Sequence, residues 1–367
     1  MVFVGAVGLG IPKTNLPQET AKRLVANIFG HKQRRVSKLL PVFDNALIDE
    51  RQLSASIDWY KKKQSLKNRN DLYIKETIRL SLEAIDACLT NGWLKAPMPY
   101  EAIDLIVFVS STGIATPSID SYLINERPFK EQIVRMPLWG LGCGGGAIGL
   151  SRAFEWLEKH QDKTALVVCT ELCSLTFQQD DDSSSNIVGA ALFGDGAACT
   201  LLVGETSPYV ELLPKQKLSI MKRSSFLKKG TLDIMGWNVT NSGFEVIFSK
   251  KIPNLVQSIW NDHLQQFLQE ASFKLEEIHS FLAHPGGRKV LEQMGKALPQ
   301  DCDLLAHSYA VLKHHGNMSS ATVLYVLKRY LEKMYEKEET PHKPYAVLSA
   351  LGPGFCSELI AMRWNRT

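Results

Sequence analysis

Cys143 is the residue of this chain whose surroundings are most unusual for its type. It lies among glycines in the stretch WGLGCGGGAIGL, residues 139–150, directly before a helical pattern. Gly140, Gly142 and Gly145 match G-x-G-x-x-G, which cradles the phosphates of a dinucleotide. The same glycines could instead leave the thiol bare at a sharp turn, beside room for a substrate. The stretch therefore allows two chemistries: hydride transfer with a nicotinamide cofactor, or nucleophilic attack by cysteine.

The dinucleotide interpretation needs a strand that runs directly into the glycines and an acidic residue about 20 positions later. Asp162 lies near that distance. However, Pro137 interrupts any central strand before the glycines, and at least two strand patterns come earlier in the chain. This interpretation is the weaker one, because the short motif is common by chance.

The nucleophile interpretation places the sulfur of Cys143 at the N-terminus of a helix. The helix dipole and free N–H groups there favour thiolate over thiol, so the pKa should be lowered. Glycines 142, 144, 145 and 146 would leave space for an electrophile, and their N–H groups could contact an oxyanion. The alternative is a buried structural thiol in a tight packing site. A cysteine surrounded by so many glycines favours the nucleophile.

A cysteine nucleophile also needs a base, and two segments offer one. His284 directly follows the strand pattern IHSFLA and precedes Pro-Gly-Gly, and the carboxyl ends of strands are where α/β sheets collect catalytic groups. Asn317 lies in KHHGNMSS, a turn before a helix. It could cap that helix, or its amide could donate to an oxyanion beside the cysteine. We expect Cys143, His284 and Asn317 to form one site.

Apolar runs alternate with amphipathic segments along the whole chain, which indicates an α/β fold. The strands are expected at 105–109, 165–168, 197–203, 278–283, 345–350 and 358–364, and helices at 74–89, 147–157, 255–267 and 321–331. Residues 205–243 read as irregular. FGDGAACTLLVG and LGPGFCSELIAM each place a glycine turn before a strand, and the segments after Cys143 and Asn317 each lead into a helix. These pairs predict an internal duplication.

The totals exclude several classes of protein. The 367 residues carry 42 basic and 38 acidic side chains, a net charge of +4, and the basic residues are spread out, which argues against nucleic acid as a partner. Seven cysteines without a C-x-x-C pair predict reduced thiols in the cytoplasm. We expect no metal, and no run is long and apolar enough to cross a membrane.

Five blocks of sequence resemble the type III polyketide synthases, the chalcone-synthase-like family, in the same order and spacing: WGLGCGGGAIGL, FGDGAA, FLAHPGG, HGNMSSATV and SALGPGF. The resemblance implies a thiolase fold with layers αβαβα and two similar five-stranded halves, here 1–205 and 206–367, assembled as a homodimer. It also implies a triad that falls on Cys143, His284 and Asn317. Acyl-CoA and malonyl-CoA would be the substrates, with no cofactor and no carrier protein.

The resemblance extends to the substrate pocket. Val246 and Leu218 align with gatekeeper positions that are aromatic in plant enzymes, and Leu351 aligns with a loop aromatic that shapes the cavity. The other expected pocket residues are Ser111, Thr116, Cys173, Thr176, Gly236 and Ser319. Aliphatic gatekeepers would leave a deep apolar channel, so we expect long-chain fatty acyl-CoA starters and tri- or tetraketide alkylpyrones or alkylresorcinols. Alternatively, these are core exchanges without meaning for specificity.

Two further expectations concern the binding of CoA and the competing functions. The cations for the CoA phosphates would come from the first helical region, with Lys38, Arg51 and Lys61 as candidates. The nearest alternative function is a ketoacyl-synthase-III-like enzyme that performs one condensation with acyl carrier protein. A nicotinamide-dependent oxidoreductase is the alternative from another class.

Overall fold

The largest element of the fold is one nine-stranded mixed sheet. The structure is a computed structural model that describes residues 1–30, 33–299, 303–337 and 341–365. The strands are β1 (Val2–Gly10), β2 (Thr14–Pro17), β3 (Glu50–Leu53), β4 (Leu105–Val109), β5 (Val134–Leu138), β6 (Thr164–Leu172), β7 (Asp195–Gly204), β8 (Lys217–Leu227), β9 (Met235–Thr240), β10 (Gly243–Phe248), β11 (Ile278–Ala283), β12 (Tyr345–Gly352) and β13 (Cys356–Asn365).

The helices are α1 (Gln18–Ile28), α2 (Gln33–Val36), α3 (Pro41–Asp44), α4 (Ile57–Tyr60), α5 (Leu66–Leu89), α6 (Ile119–Glu126), α7 (Gly145–Lys159), α8 (Ser184–Leu192), α9 (Ile252–Leu255), α10 (Asn261–Ala271), α11 (Arg288–Lys296), α12 (Ala306–His315) and α13 (Thr322–Lys337). Short 3-10 turns at Gly142–Gly144 and Ser319–Ala321 precede α7 and α13. No helix within the described ranges is long and apolar enough to span a bilayer.

The strand order shows the internal duplication. The sheet runs β11-β12-β13-β8-β1-β7-β6-β4-β5. In one half β4 and β6 are parallel, and β6, β7 and β1 are successively antiparallel; in the other half β11 and β12 are parallel, and β12, β13 and β8 are successively antiparallel. The antiparallel pair β1 and β8 joins the halves. The second half has four strands in the described part of the chain, where the resemblance implies five.

Five layers follow from the hydrophobic clusters, as expected for the thiolase fold. The central cluster combines α7 and α13 with inward side chains of both halves of the sheet, such as Val167 and Leu348. Helix α5 covers the outer face of the first half, and α10 covers that of the second. In β4, for example, Val107 faces the central helices and Phe108 faces α5, because successive side chains of a strand point to opposite faces.

Most expected elements are present, and β4 and β11 have the predicted bounds. The prediction that residues 205–243 are irregular is wrong, because this segment contains β8 and β9. Strand β8 begins buried and ends exposed, so it shows no single periodicity, and pairing with β1 and β13 holds its backbone. Pro137 lies in β5, which is an edge strand and therefore tolerates a residue without an N–H.

Candidate active site

The glycines around Cys143 allow the N-termini of α7 and α13 to approach closely. A Cβ on Gly146 would lie 2.3 Å from the carbonyl oxygen of Ser320, and one on Gly145 would lie 2.6 Å from Cγ1 of Val109. Neither distance is possible for real atoms. These two glycines therefore pack against protein, which corrects the expectation that they leave space for an electrophile. Gly142, at φ +49°, bends the chain so that Cys143 enters a cavity.

Asn317 is fixed beside Cys143 by its backbone and its side chain. Its N–H donates to the carbonyl oxygen of Leu192 at 2.8 Å, and its own carbonyl oxygen accepts from the N–H of Gly194 at 3.0 Å. Its Oδ1 accepts from the N–H of Ser319 at 2.8 Å. This contact identifies Nδ2 as the donor atom of the amide. Nδ2 donates to the carbonyl oxygen of Gly286 at 3.2 Å, and the sulfur of Cys143 lies 3.9 Å from both Nδ2 and Oδ1.

His284 follows β11 and is almost completely buried, with 2% of its surface exposed. Neither ring nitrogen has a hydrogen-bond partner within the described residues. A Cβ built on Gly286 would lie 3.8 Å from His284 Nε2, so this nitrogen is near the carbonyl group that Asn317 contacts. Burial lowers the pKa of His284 to about 3. The imidazole is therefore neutral at rest, and the lone pair of its unprotonated nitrogen accepts no hydrogen bond from the described residues.

The thiol of Cys143 is also neutral at rest. The residue is partly accessible through a cavity, but protein otherwise surrounds the sulfur, and this burial raises its pKa to about 11. This direction is opposite to the one expected from a helix N-terminus. Side-chain hydrogen bonds from Ser319 and Asn317 oppose the effect of burial, and the charge of Glu171 adds to it. Desolvation has the largest effect on the pKa of this thiol.

Cys143, His284 and Asn317 line one cavity of about 280 Å³, which we name the His284 cavity. Leu351 lines its inner wall, and Arg288 and Lys289 line it where α11 begins. The structure thus brings together the three residues that the sequence singles out. It places the expected pocket residue Leu351 beside them.

Two further cavities lie in the same region, and only the first of these contacts the sulfur. The hairpin cavity, about 180 Å³, lies against the β9–β10 hairpin and contacts Cys143, Ser111, Gly236, Val246 and Ser319. The apolar cavity, about 50 Å³, extends to α1 and contacts Cys173, Thr176 and Val246. Val246 and Phe193 line both, so these two side chains form the wall between them.

Two expected pocket residues lie elsewhere. Leu218 is completely buried in β8 and belongs to the central cluster, because the strand pairs with β1 there and its side chain packs beneath the sheet. Thr116 lies in an exposed loop after β4 and lines none of the His284, hairpin and apolar cavities. The alignment that places Leu218 at a gatekeeper position is therefore wrong.

The candidate CoA cations also need correction. Arg51 is 1% exposed, and its guanidinium donates to the carbonyl oxygen of Ala191 and to Oε1 of Gln18, both at 2.6 Å, so it cannot reach a phosphate in solvent. Lys61 is exposed and pairs with Asp58 at 2.7 Å. Lys38 is exposed four residues before Val42, a residue of the His284 cavity.

Sequence reasoning missed three charged residues. Arg288 and Lys289 line the His284 cavity, and their position directly after His-Pro-Gly-Gly could have indicated this. Glu171, in β6, is completely buried; its Oε2 accepts from the N–H of Ser111, and its Oε1 accepts from the hydroxyl of Ser320. Burial raises the pKa of Glu171 to about 7. No pattern in the sequence distinguishes this glutamate from a surface one.

Comparison with known proteins agrees with this geometry. Residues 3–206 match the N-terminal domain of the chalcone and stilbene synthases, and residues 220–364 match the C-terminal domain of that family. A putative chalcone synthase of Bacillus subtilis (strain 168) is 41% identical over 371 residues, covering 100% of both chains. The 1,3,6,8-tetrahydroxynaphthalene synthase of Streptomyces peucetius subsp. caesius is 33% identical and covers 98% of this chain and 93% of its own.

A solved structure shows the same fold. The crystal structure of PKS-I from the brown alga Ectocarpus siliculosus superimposes with a TM-score of 0.88 at 22% identity, covering 99% of this chain and 98% of its own. The glycine-rich turn is thus part of a thiolase-like fold and not of a dinucleotide-binding unit. The chain belongs to the chalcone and stilbene synthase family: it is a type III polyketide synthase, an acyltransferase that performs decarboxylative Claisen condensations on CoA thioesters.

Proposed function

We propose that Cys143 is the nucleophile, His284 its base, and Asn317 the oxyanion donor. The observation that carries this assignment is that the three side chains line one cavity. Both nitrogens of the buried imidazole lack a partner among the described residues, and Asn317 Nδ2 lies 3.9 Å from the sulfur. At rest the thiol and the imidazole are both neutral. The thiol becomes nucleophilic as its proton moves to the imidazole during the attack of the sulfur.

Loading would transfer the acyl group from CoA to Cys143. The thiol proton passes to His284 as the sulfur bonds to the thioester carbon, and the carbon–sulfur bond to CoA then breaks. The CoA thiolate takes the proton from His284. His284 thereby returns to its neutral state, which burial favours.

Condensation would follow in the same cavity. Malonyl-CoA loses CO₂, and the electrons of the broken bond form an enolate whose oxygen accepts hydrogen bonds from Asn317 Nδ2 and His284. The enolate carbon attacks the acyl carbonyl on Cys143 and displaces the sulfur. The product is a chain two carbons longer on CoA, and repetition gives a tri- or tetraketide that cyclises. None of these steps calls for a metal or redox cofactor.

We propose long-chain fatty acyl-CoA starters and alkylpyrone products. The apolar cavity supports this choice, because Leu16, Ala21, Leu24 and Val25 line it beyond Val246. We propose that an alkyl chain that starts at the sulfur fills the hairpin cavity and reaches this space between Val246 and Phe193, which line both cavities. Each methylene buried there contributes about 0.8 kcal/mol.

A second candidate is a malonyl-only synthesis of an aromatic product. The name of the S. peucetius relative, 1,3,6,8-tetrahydroxynaphthalene synthase, favours it. The apolar cavity has no role in that reaction, so the two candidates differ in how the cavity is used.

The experiment that separates them offers malonyl-CoA with and without lauroyl-CoA, in the absence of carrier protein. We expect alkylpyrones only when lauroyl-CoA is present, and the acyl group on Cys143 by peptide mass spectrometry. Cys143→Ala should form no acyl-enzyme, with Cys88→Ser as the control that keeps loading, because Cys88 lies in α5 and lines none of the three cavities. An aromatic product made equally well without lauroyl-CoA would contradict the starter, and loading that survives in Cys143→Ala would contradict the nucleophile.

The binding of the CoA phosphates is proposed for Arg288 and Lys289, with Lys38 nearby. The first two line the His284 cavity at the start of α11. Charge reversal at Lys289 should raise KM for both acyl-CoA and malonyl-CoA. The same change at Lys61, which lies away from this cavity, should leave KM unchanged.

The chain is also proposed to form a homodimer through β5. This edge strand of the sheet has an unpaired side, and Val134, Ile114 and Trp139 near it are 41%, 50% and 57% exposed. Such an edge and its apolar surroundings are the features that pairing with a second chain removes from solvent. Light scattering should give twice the mass of the chain. The cytoplasmic location stays a prediction.

A further inference from the structure

Ser319 has a backbone conformation that serine rarely adopts. Its φ is +48°, in the left-handed region that costs energy for residues with a Cβ. Two other described residues besides glycines share this feature: Ser272 ends α10, where a left-handed residue is common, and Leu47 is 43% exposed. Ser319 instead is 2% exposed and lines the hairpin cavity together with Cys143. The strained serine thus lies at the sulfur.

Both backbone groups of Ser319 are held by neighbours. Its N–H donates to Oδ1 of Asn317 at 2.8 Å, and its carbonyl oxygen accepts from the hydroxyl of Thr322 at 2.9 Å. The same Thr322 hydroxyl accepts from the N–H of Met318 at 2.9 Å. This arrangement fixes the Asn317 amide and the backbone of Ser319, which lines the hairpin cavity. The turn therefore holds two residues at the sulfur.

We propose that Ser319 is a further catalytic residue, whose hydroxyl donates a hydrogen bond to the sulfur of Cys143 and stabilises the thiolate. The proposal rests on the assignment of Cys143 as the nucleophile. The thiolate forms when the sulfur is loaded and again when the extended chain leaves. A donor is needed at both moments, because the sulfur is surrounded by protein.

The electrostatic surroundings of the sulfur agree with this role. Among the groups that lower the pKa of Cys143, the hydrogen bond from Ser319 has the largest effect, and that from Asn317 comes next. Glu171 of β6 raises it. The other titratable groups that face the sulfur are His284 after β11, Cys173 after β6, and Cys356 of β13. The two largest effects that lower the pKa of Cys143 thus come from a hydroxyl and an amide.

The test measures the alkylation of Cys143 by iodoacetamide against pH, with peptide mass spectrometry identifying the site. Ser319→Ala removes the hydroxyl and keeps the backbone strain, whereas Ser319→Gly removes the hydroxyl and relieves the strain. We expect both variants to raise the pKa of Cys143 by about one unit. The alkylation rate below that pKa then falls about tenfold, which corresponds to about 1.4 kcal/mol.

The two variants distinguish the effect of the Ser319 hydroxyl on the pKa of Cys143 from the effect of the backbone strain. A wild-type pKa in Ser319→Gly would overturn the proposal, because the effect in Ser319→Ala would then come from the backbone. A wild-type pKa in both variants would overturn it as well. Incubation of the wild-type enzyme with lauroyl-CoA, followed by mass spectrometry, tests the underlying assignment separately. An acyl group on Cys143 with unchanged variant pKa values would contradict only Ser319, and an acyl group elsewhere would contradict the nucleophile itself.

Discussion

Replacement of Val246 by phenylalanine should block the proposed route of the alkyl chain from the hairpin cavity to the apolar cavity. Val246 is 8% exposed and packs with Cys173 and Phe193 in one small cluster. Its Cγ2 already lies 3.4 Å from a Cβ built on Gly189 of α8. A benzyl group has no room to turn toward α8, so it must occupy the space that an alkyl chain would use.

The expected magnitude follows from the size of the apolar cavity. Its volume is about 50 Å³, and one water-sized group needs about 10–15 Å³ on this measure. The cavity therefore holds about four methylenes, which are of similar size. At about 0.8 kcal/mol each they contribute about 3 kcal/mol, a factor of about two hundred in kcat/KM. Short starters that end in the hairpin cavity should lose none of this.

The assay compares kcat/KM for lauroyl-CoA and hexanoyl-CoA by malonyl-dependent product formation. We expect Val246→Phe to lower the ratio of the two values by up to about two hundredfold. Val239→Phe is the matched control, because Val239 is 55% exposed at the rim of the hairpin cavity and does not line the apolar cavity. An unchanged ratio in Val246→Phe would refute the reasoning, as would an equal loss for both starters.

Three other changes test separate parts of the site. Asn317→Ala should lower CO₂ release from malonyl-CoA about 10²–10³-fold while the acyl group still appears on Cys143; equal losses in both steps would argue against an oxyanion role. Arg51→Met should lower the free energy of unfolding by about 3 kcal/mol, because Gln18 loses its donor, without changing the affinity for CoA measured by calorimetry. The pKa of Glu171 is about 7 in the folded state and 4.5 in the unfolded state, so between these pH values the folded state binds one proton more. The free energy of unfolding therefore falls by about 3 kcal/mol as the pH rises from 4.5 to 7. Urea titrations should show that Glu171→Gln lacks this decline.

The strands that sequence predicts best are those buried on both faces. Leu105–Val109 is apolar throughout, and in Ile278–Ala283 only His279 is neither apolar nor small, because helices cover both sides of these strands. Strand β8 was missed because Lys222 and Arg223 interrupt its apolar pattern and its last three residues are exposed, so its place in the sheet depends on backbone pairing with β13. Pairing of this kind involves residues more than a hundred positions apart, which no local window includes.

The chemistry of the site was harder to predict than its location. A glycine in a sequence shows that a side chain is absent, but not whether substrate or protein fills the space; at Gly145 and Gly146 it is protein. The pKa of Cys143 depends on how much water remains around the sulfur, which only the packed structure determines. Likewise Arg51 reads as a surface cation, and folding buries it between α8 and Gln18.

The duplication explains why the reactive groups come from both halves. Cys143 and Ser319 occupy the matching 3-10 turns before α7 and α13, while Ser111 and His284 follow the matching strands β4 and β11. In the first half the Ser111 hydroxyl accepts from the N–H of Gly142 and shapes the turn of the nucleophile. In the second half the equivalent place holds His284, whose ring nitrogens have no hydrogen-bond partner among the described residues. Under the proposed roles, one copy of the motif supplies the nucleophilic sulfur, and the other supplies the groups that move a proton and stabilise charge.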